Sequence, residues 1–118
     1  MLIYISGPLT NGGRASEEGE LKNVSDACIA GEAIYRLGHI PYIPHLTLVA
    51  DRLLRAQGID VSYDEWLKRC LAWVGECDAM LYLRPSPGAD AEKAYAEELG
   101  KIIYKNLEEI PDMSKADA

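Results

Sequence analysis

The sequence predicts a doubly wound α/β domain, a three-layer α/β/α stack of the flavodoxin or Rossmann kind, on three observations. Short apolar runs containing Ile, Leu and Tyr recur at 2–5, 40–43, 78–83 and 101–104. Longer stretches with apolar residues at helical spacing separate them. Glycines and prolines punctuate the joints. Strands alternating with helices imply a parallel sheet covered on both faces, because parallel neighbours need a long crossover. Right-handed crossovers make 2-1-3-4 the natural order for four strands, five at most.

Leu2 to Ile5 is the first strand, stopped by Ser6-Gly7-Pro8. A strand needed so early belongs near the sheet centre. The loop Ser6 to Arg14 carries Gly7, Gly12, Gly13, Thr10 and Asn11 and is rich in backbone donors. It lacks GxGxxG and GxxxxGK[ST], so neither a dinucleotide nor a nucleoside-triphosphate site of standard type is indicated. From about Ser16 to Leu37 the positions Leu21, Val24, Cys28, Gly31, Tyr35 and Ala27, Ala30, Ile34 repeat at helical spacing, and Gly38 ends the run as a cap. Ile40 to Ile43 is the second strand, stopped by Pro44-His45. Leu46 to Ala56 reads as a helix with Leu46, Val49, Leu53 and Leu54 inward, closed by Gly58. Asp60 or Ser62 caps the next helix, Tyr63 to about Glu76, whose Trp66, Leu67, Cys70, Leu71, Trp73 and Val74 make a broad apolar face. Asp78 to Leu83 is the third strand, Pro87 to Leu99 the last helix with Gly100 after it, and Lys101 to Tyr104 the fourth strand. One domain is expected over 1–111, with a loose tail over 112–118.

A chain of 118 residues, 48% hydrophobic and 26% charged, fits one core. Twelve Lys and Arg against nineteen Asp and Glu give a net charge of −7, which argues against nucleic-acid polymers and membrane surfaces as partners. The opening MLIYISGP has no basic lead and turns early, so it reads as neither signal peptide nor membrane span. Cys28, Cys70 and Cys77 lack disulfide or zinc spacing. No metal and no cofactor is expected, and the cytoplasm is the simplest location.

Function-bearing residues gather at the start of the last helix. Winding Pro87 to Leu99 at about 100° per residue puts Asp90, Lys93 and Glu97 on a polar side and Gly88, Ala89, Tyr95, Ala96 and Leu99 on the apolar one. Glu92 falls in the middle of the apolar side. A carboxylate removed from water must be paired, hydrogen-bonded or held in a cleft, so Glu92 is either a satisfied structural acid or a working one. Ser86 at the N-cap, Pro87 at the first helical position and Gly88, open to close approach, favour an anion at this helix start. Ser86 as a simple cap is the competing reading. Ligands in such sheets bind beyond the strand carboxyl ends where the order reverses, here between strands one and three. Loops from Ser6, Pro44-His45 and Arg84 to Glu92 converge there, and Tyr4 can reach Glu92. Arg84 and Arg14 can meet a phosphate, although arginines at loop edges are more often solvated. His45 can serve a base as donor or equally enter a helix. His39 is read as solvent-facing, Asp78 as structural, and Trp66 and Trp73 as core or dimer contacts rather than a base-stacking platform.

Tyr4-Ile5-Ser6-Gly7-Pro8, Ile43-Pro44-His45, Asp78 at its strand, and Ser86-Pro87-Gly88-Ala89-Asp90-Ala91-Glu92 leading to Leu99-Gly100 resemble the nucleoside 2-deoxyribosyltransferase superfamily, which includes nucleoside 5′-monophosphate N-glycosidases and small relatives. The resemblance covers roughly 2–104, and the order and spacing of the motifs carry it. It implies that Glu92 attacks C1′ of the sugar to form a covalent glycosyl-enzyme, resolved by water or by a second base, with Tyr4 orienting the nucleophile. Ser6, Gly7, Pro8, His45, Ser86 and Gly88 would line the substrate pocket. Six residues before the glutamate the monophosphate hydrolases carry serine, and here that residue is Ser86, which favours a 5′-phosphorylated substrate. Relatives assemble as dimers or larger homo-oligomers, so a homo-oligomer is implied as well.

The chain departs from the family at one place. Where the family has an aspartate eight residues before the acid that opens strand three, this sequence has Cys70. A thiol is a weak hydrogen-bond partner and does not replace a carboxylate toward sugar hydroxyls or a leaving base. Two functions from different classes follow. One is N-glycosidic cleavage or (deoxy)ribosyl transfer on a nucleoside or nucleoside 5′-monophosphate; the other is a nucleotide-binding or sensor module that kept the cleft without the chemistry. A chain serving mainly as an assembly subunit through its tryptophan-bearing helix is a weaker third.

Overall fold

The structure, a computed structural model, describes residues 1–9 and 17–115. Thr10, Asn11, Gly12, Gly13 and Arg14, the helix start near Ser16 and residues 116–118 lie outside the described residues. Along the chain run β1 (Leu2–Ser6), α1 (Glu17–Arg36), β2 (Ile40–Tyr42), α2 (Thr47–Ala56), α3 (Tyr63–Glu76), β3 (Ala79–Tyr82), α4 (Pro87–Glu98) and β4 (Ile102–Tyr104), with 3-10 turns at Pro44–Leu46 and Leu107–Glu109. The four strands are parallel in the order β2-β1-β3-β4, as the alternation of elements predicts. β2 lies at an edge, where the missing N–H of Pro41 can face away from the ladder.

Strand parity decides which face of the sheet each side chain serves. Ile3 and Ile5 of β1, with Ala79 and Leu81 of β3, pack against Ala27, Ala30 and Ile34 of α1. Tyr4 and Met80 point the other way, into Cys70, Val74 and Cys77 of the α3 segment and Ala96 of α4. The result is the expected three layers, with α1 below the sheet and α3 and α4 above it. Gly31 lets α1 approach the second strand closely: a Cβ there would come within 2.7 Å of Ile43 Cδ1. On the other face the rings of Tyr4 and Tyr42 stack at 5.5 Å, and Tyr42 stacks on Trp73 at 4.6 Å.

Helix α2 departs from its expected orientation. The spacing puts Leu46, Val49, Leu53 and Leu54 inward, yet Leu46, Val49 and Leu53 are each at least half exposed, Leu54 is only partly buried, and no α2 residue is fully buried. The reason is position: α2 sits beyond the strand ends rather than on the sheet, so its inner side faces a cavity instead of the core. Polar ties hold it there. Arg52 Nη2 donates to Glu20 Oε2 at 2.8 Å, and Trp66 Nε1 donates to Asp51 Oδ1 at 2.9 Å.

His39, read as solvent-facing, is buried. Its ring bridges the Met1 amine at 2.9 Å and the Pro111 carbonyl at 2.7 Å. The segment read as a loose tail is tied down at its start, where Met113 N donates to Leu37 O at 2.7 Å beside Gly38, whose φ is +91°. Among the described residues no helix is long and apolar enough to cross a membrane.

Gly38 and Gly58 test how backbone conformation and packing combine. Both have positive φ, but a Cβ on Gly38 would lie 2.7 Å from the Met113 carbonyl carbon, whereas one on Gly58 meets open space. Urea unfolding is expected to show a loss of about 1–2 kcal/mol for Gly58→Ala and a distinctly larger loss for Gly38→Ala. Equal losses would show that the Met113 contact is absent in solution.

Candidate active site

The start of α4 is fixed by its first residues. Ser86 is extended, its Oγ accepts from Ala89 N at 3.0 Å, and its carbonyl accepts from Asp90 N at 2.8 Å. Pro87 needs no partner for an N–H it lacks. From that start Ala89, Glu92 and Ala96 come round to the sheet and are buried. Two of them are alanines, so the helix lies close to the sheet and the carboxylate of Glu92 meets β1.

Both of its oxygens are engaged from β1. Tyr4 OH donates to Oε2, and Ser6 Oγ donates to Oε1 at 2.9 Å while also lying 3.3 Å from the Ala89 carbonyl. Residues 4 and 6 share one side of a strand, so strand parity delivers two hydroxyls to one carboxylate. Glu92 is only 7% exposed. Burial pushes its carboxyl up to about 7, against the downward pull of the hydrogen bonds from Tyr4 and Ser6. Burial, and then the nearby Glu92 charge, push the Tyr4 phenol far up, so it remains a donor.

Glu92 opens onto a cavity of about 220 Å³ at the carboxyl ends of β1, β2 and β3. One water needs only about 10–15 Å³ by this measure, so the space has room for a small molecule. Gly7 and Leu9 contribute from the β1 end, Pro44 and His45 from the β2 end, and Ser86, Gly88 and Ala89 from α4. Helix α2 supplies Leu48, Asp51 and Arg55, and α3 supplies Tyr63, Trp66 and Cys70. The site therefore lies where the strand order reverses.

Each expected residue has a definite place. His45 is buried, with Nε2 3.1 Å from the Gly7 carbonyl and Nδ1 without a partner among the described residues. Burial holds its pKa below the usual imidazole value, against the carbonyls of Gly7 and Pro8, which pull upward. Ser6 and Pro8 stand behind the cavity wall rather than in it: Ser6 is spent on Glu92, and Pro8 turns its carbonyl toward His45. Gly88 is open, but the group that enters its space is Tyr63 OH, 3.0 Å from where a Cβ would stand. Arg84 turns away from the cavity, donating to Asn23 Oδ1 at 2.9 Å and pairing with Asp26 at 3.5 Å. Trp66 lines the cavity under Arg69, whose guanidinium lies 4.9 Å from its ring centre, while Trp73 ends the tyrosine stack. Asp78 is structural, accepting from Leu2 N at 2.7 Å.

Sequence reasoning missed Tyr63, Asp51 and Arg55. Asp51 Oδ2 pairs with Arg55 Nε at 3.0 Å and Oδ1 takes the indole N–H of Trp66, which gives the far wall an oriented carboxylate and a guanidinium. Asp51 and Arg55 are placed by the orientation of α2, and Tyr63 by the first turn of α3 meeting the start of α4, neither of which local spacing shows. Cys70 is buried beside Tyr4 and Glu92, and burial, then the Glu92 charge, hold its thiol above the ordinary range.

Fold and site together define a doubly wound α/β protein whose cleft closes on one buried, hydroxyl-tethered carboxylate. The chain belongs to the family described as a domain of unknown function, DUF4406, whose model matches residues 1–105 and so takes in all four strands and Glu92. No curated protein matches the chain.

The raised carboxyl makes stability fall with pH. Between the ordinary value of 4.5 and about 7 the folded protein keeps a proton on Glu92 that the unfolded chain has released, so stability declines as pH rises through that window. Glu92→Gln abolishes this loss. Urea unfolding is expected to show the variant gaining on the order of 3 kcal/mol over wild type at pH 8 and little at pH 4. A gain of the same size at both pH values would rule out an uncharged Glu92 as its source.

Proposed function

We propose that the protein cleaves or transfers the N-glycosidic bond of a nucleoside or nucleoside 5′-monophosphate through a covalent glycosyl-Glu92 intermediate. The observation that carries this reading is the carboxylate itself, buried at the cavity floor between the ends of β1 and β3 with Tyr4 and Ser6 on its two oxygens. A nucleophile for an oxocarbenium-like centre needs this combination: negative charge once deprotonated, fixed orientation, and shelter from bulk water. The sequence resemblance to the nucleoside 2-deoxyribosyltransferase superfamily assigns the same roles to Glu92 and Tyr4.

The start of α4 supports a 5′-phosphate. Ser86 keeps a hydroxyl proton to donate while its oxygen caps the helix, and Gly88 N–H has no partner among the described residues. On this reading His45, neutral near pH 7 and beside the Gly7 strand end, faces the base. The substrate is a small molecule, and neither metal nor cofactor takes part in the proposed chemistry. Free Cys28, Cys70 and Cys77 are in keeping with a cytoplasmic protein. A homodimer or larger homo-oligomer belongs to the same reading, with exposed Leu46 just before α2 and Val49 and Leu53 on it as its contact surface.

Chromatographic assay of free base from a panel of nucleosides and their 5′-monophosphates tests the reaction. Wild type is expected to release base at a rate that rises as pH passes through about 7, because Glu92 must lose its proton to attack. Glu92→Ala is expected to lower release by at least about a thousandfold, as loss of a nucleophile does. Base release that survives this substitution removes Glu92 from the mechanism. Cys70, standing where relatives carry an aspartate, favours one second reading, a nucleotide-binding module. Ligand-dependent thermal stabilisation with no turnover in wild type would select it.

A further inference from the structure

We infer that Ser6 is a positioning residue that marks Glu92 Oε1 as the attacking oxygen and passes its hydrogen bond to the Ala89 carbonyl when that oxygen is consumed. The inference rests on the glycosyl-transfer reading and adds which oxygen reacts and what the second hydroxyl does.

The two donors on Glu92 differ in what else they can do with their protons. Ser6 Oγ lies 2.9 Å from Oε1 and 3.3 Å from the Ala89 carbonyl, so a small rotation carries its proton from one acceptor to the other. Tyr4 OH donates to Oε2, and its alternative is the sulfur of Cys70, a weak acceptor. A phenol is intrinsically more acidic than an alkyl hydroxyl and so the stronger donor. As Oε1 bonds to C1′, the C1′–N bond breaks and its electron pair leaves on the base nitrogen, which takes a proton from water. The ester that forms has one carbonyl oxygen, which still accepts well, and one alkyl-bearing oxygen, which accepts poorly. Tyr4 stays on the carbonyl oxygen. Ser6 loses its acceptor and turns to Ala89, so no buried donor is left unpaired. Attack through Oε2 would instead strand the phenol against sulfur. In the hydrolytic second step water adds to C1′, its released proton neutralises the hydroxide left by the first step, and the C1′–Oε1 bond breaks with its electron pair returning to the Glu92 carboxylate. The free sugar departs, and Ser6 returns to the restored carboxylate.

Ser6 is fully buried and small, so Ser6→Ala leaves the packing nearly unchanged. Two measurements test the inference. Carbon-13 NMR titration of the Glu92 carboxyl reads the hydrogen bond without any substrate, and its midpoint is expected to rise by about one pH unit in Ser6→Ala, the size of one charge-assisted hydrogen bond. Base release is expected to fall about tenfold at pH 6.5 and to stay within about threefold of wild type at pH 9, where Oε1 is ionised and needs no donor. Tyr4→Phe is expected to lower release at both pH values. An unchanged NMR midpoint overturns the inference, as does a Ser6→Ala rate that falls equally at pH 6.5 and pH 9. A midpoint that moves in a wild-type background releasing no base withdraws the oxygen assignment through failure of the glycosyl reading, with the Ser6 hydrogen bond intact.

Discussion

Desolvation of a single carboxylate is the constraint that most of the surrounding structure answers. Glu92 sits on the buried side of α4 between Ala89 and Ala96, and a charge there is tolerated only if donors meet it. The donors come from β1, and only alternate residues of β1 face α4. Tyr4 and Ser6 are thereby fixed as a pair, while Ile3 and Ile5 are left to build the opposite core with α1. A one-residue slip of β1 would reverse these roles, placing isoleucines on the carboxylate and hydroxyls in the α1 core. The early, central strand is thus held in register from both faces, by apolar packing on one and by hydrogen bonds on the other.

The same carboxylate is tightly held and yet left close to ionisation. Its two hydrogen bonds lower the cost of charge, yet burial prevails and the acid is drawn to about 7, where both protonation states are populated at neutral pH. Surrounding groups limit its motion. The Tyr4 ring is clamped in a stack with Tyr42 and Trp73, and such ring pairs contribute about 0.5–1.5 kcal/mol each beyond their burial. Rotation of Tyr4 away from Glu92 would disturb the stack, so the phenol is a fixed reference for the carboxylate. Ser6, with a second acceptor in reach, is the adjustable one.

Much of this was legible in the sequence, for identifiable reasons. Strand and helix periods, the Ser86-Pro87 helix start and the right-handed crossover rule yield the order β2-β1-β3-β4 and bring the ends of β1 and β3 together. The offset of Glu92 into the apolar side of α4 marks it without any structure. What could not be read depends on long-range placement. The periodicity of α2 shows that it has two faces but not that its inner one meets a cavity, so Leu46, Val49 and Leu53 seemed core residues while Asp51 and Arg55 went unnoticed. His39 finds Met1 and Pro111, partners far away in sequence, which no local signal connects. At Gly88 the sequence shows the missing side chain, and so room for a ligand, but not the Tyr63 hydroxyl that enters the space.

Cys70, at the position where the superfamily that the sequence resembles carries an aspartate, acquires a physical meaning in this setting. A second carboxylate beside Tyr4 and Glu92 would repel the Glu92 charge and drive its pKa higher still. The thiol, kept protonated by burial, adds no charge and leaves Glu92 the lone acid at the cavity floor among the described residues. On the glycosyl reading a thiol at this position has a cost on the leaving-group side. His45 is held neutral with its Nε2–H directed to the Gly7 carbonyl, and Tyr4 is occupied by Glu92. On the glycosyl reading, the proton for a departing base must then come from water or from His45 Nδ1 after it gains one. On that reading such a cleft is suited to a substrate whose base leaves with little help, and Cys70 would make leaving-group quality, rather than nucleophile strength, the property on which turnover depends.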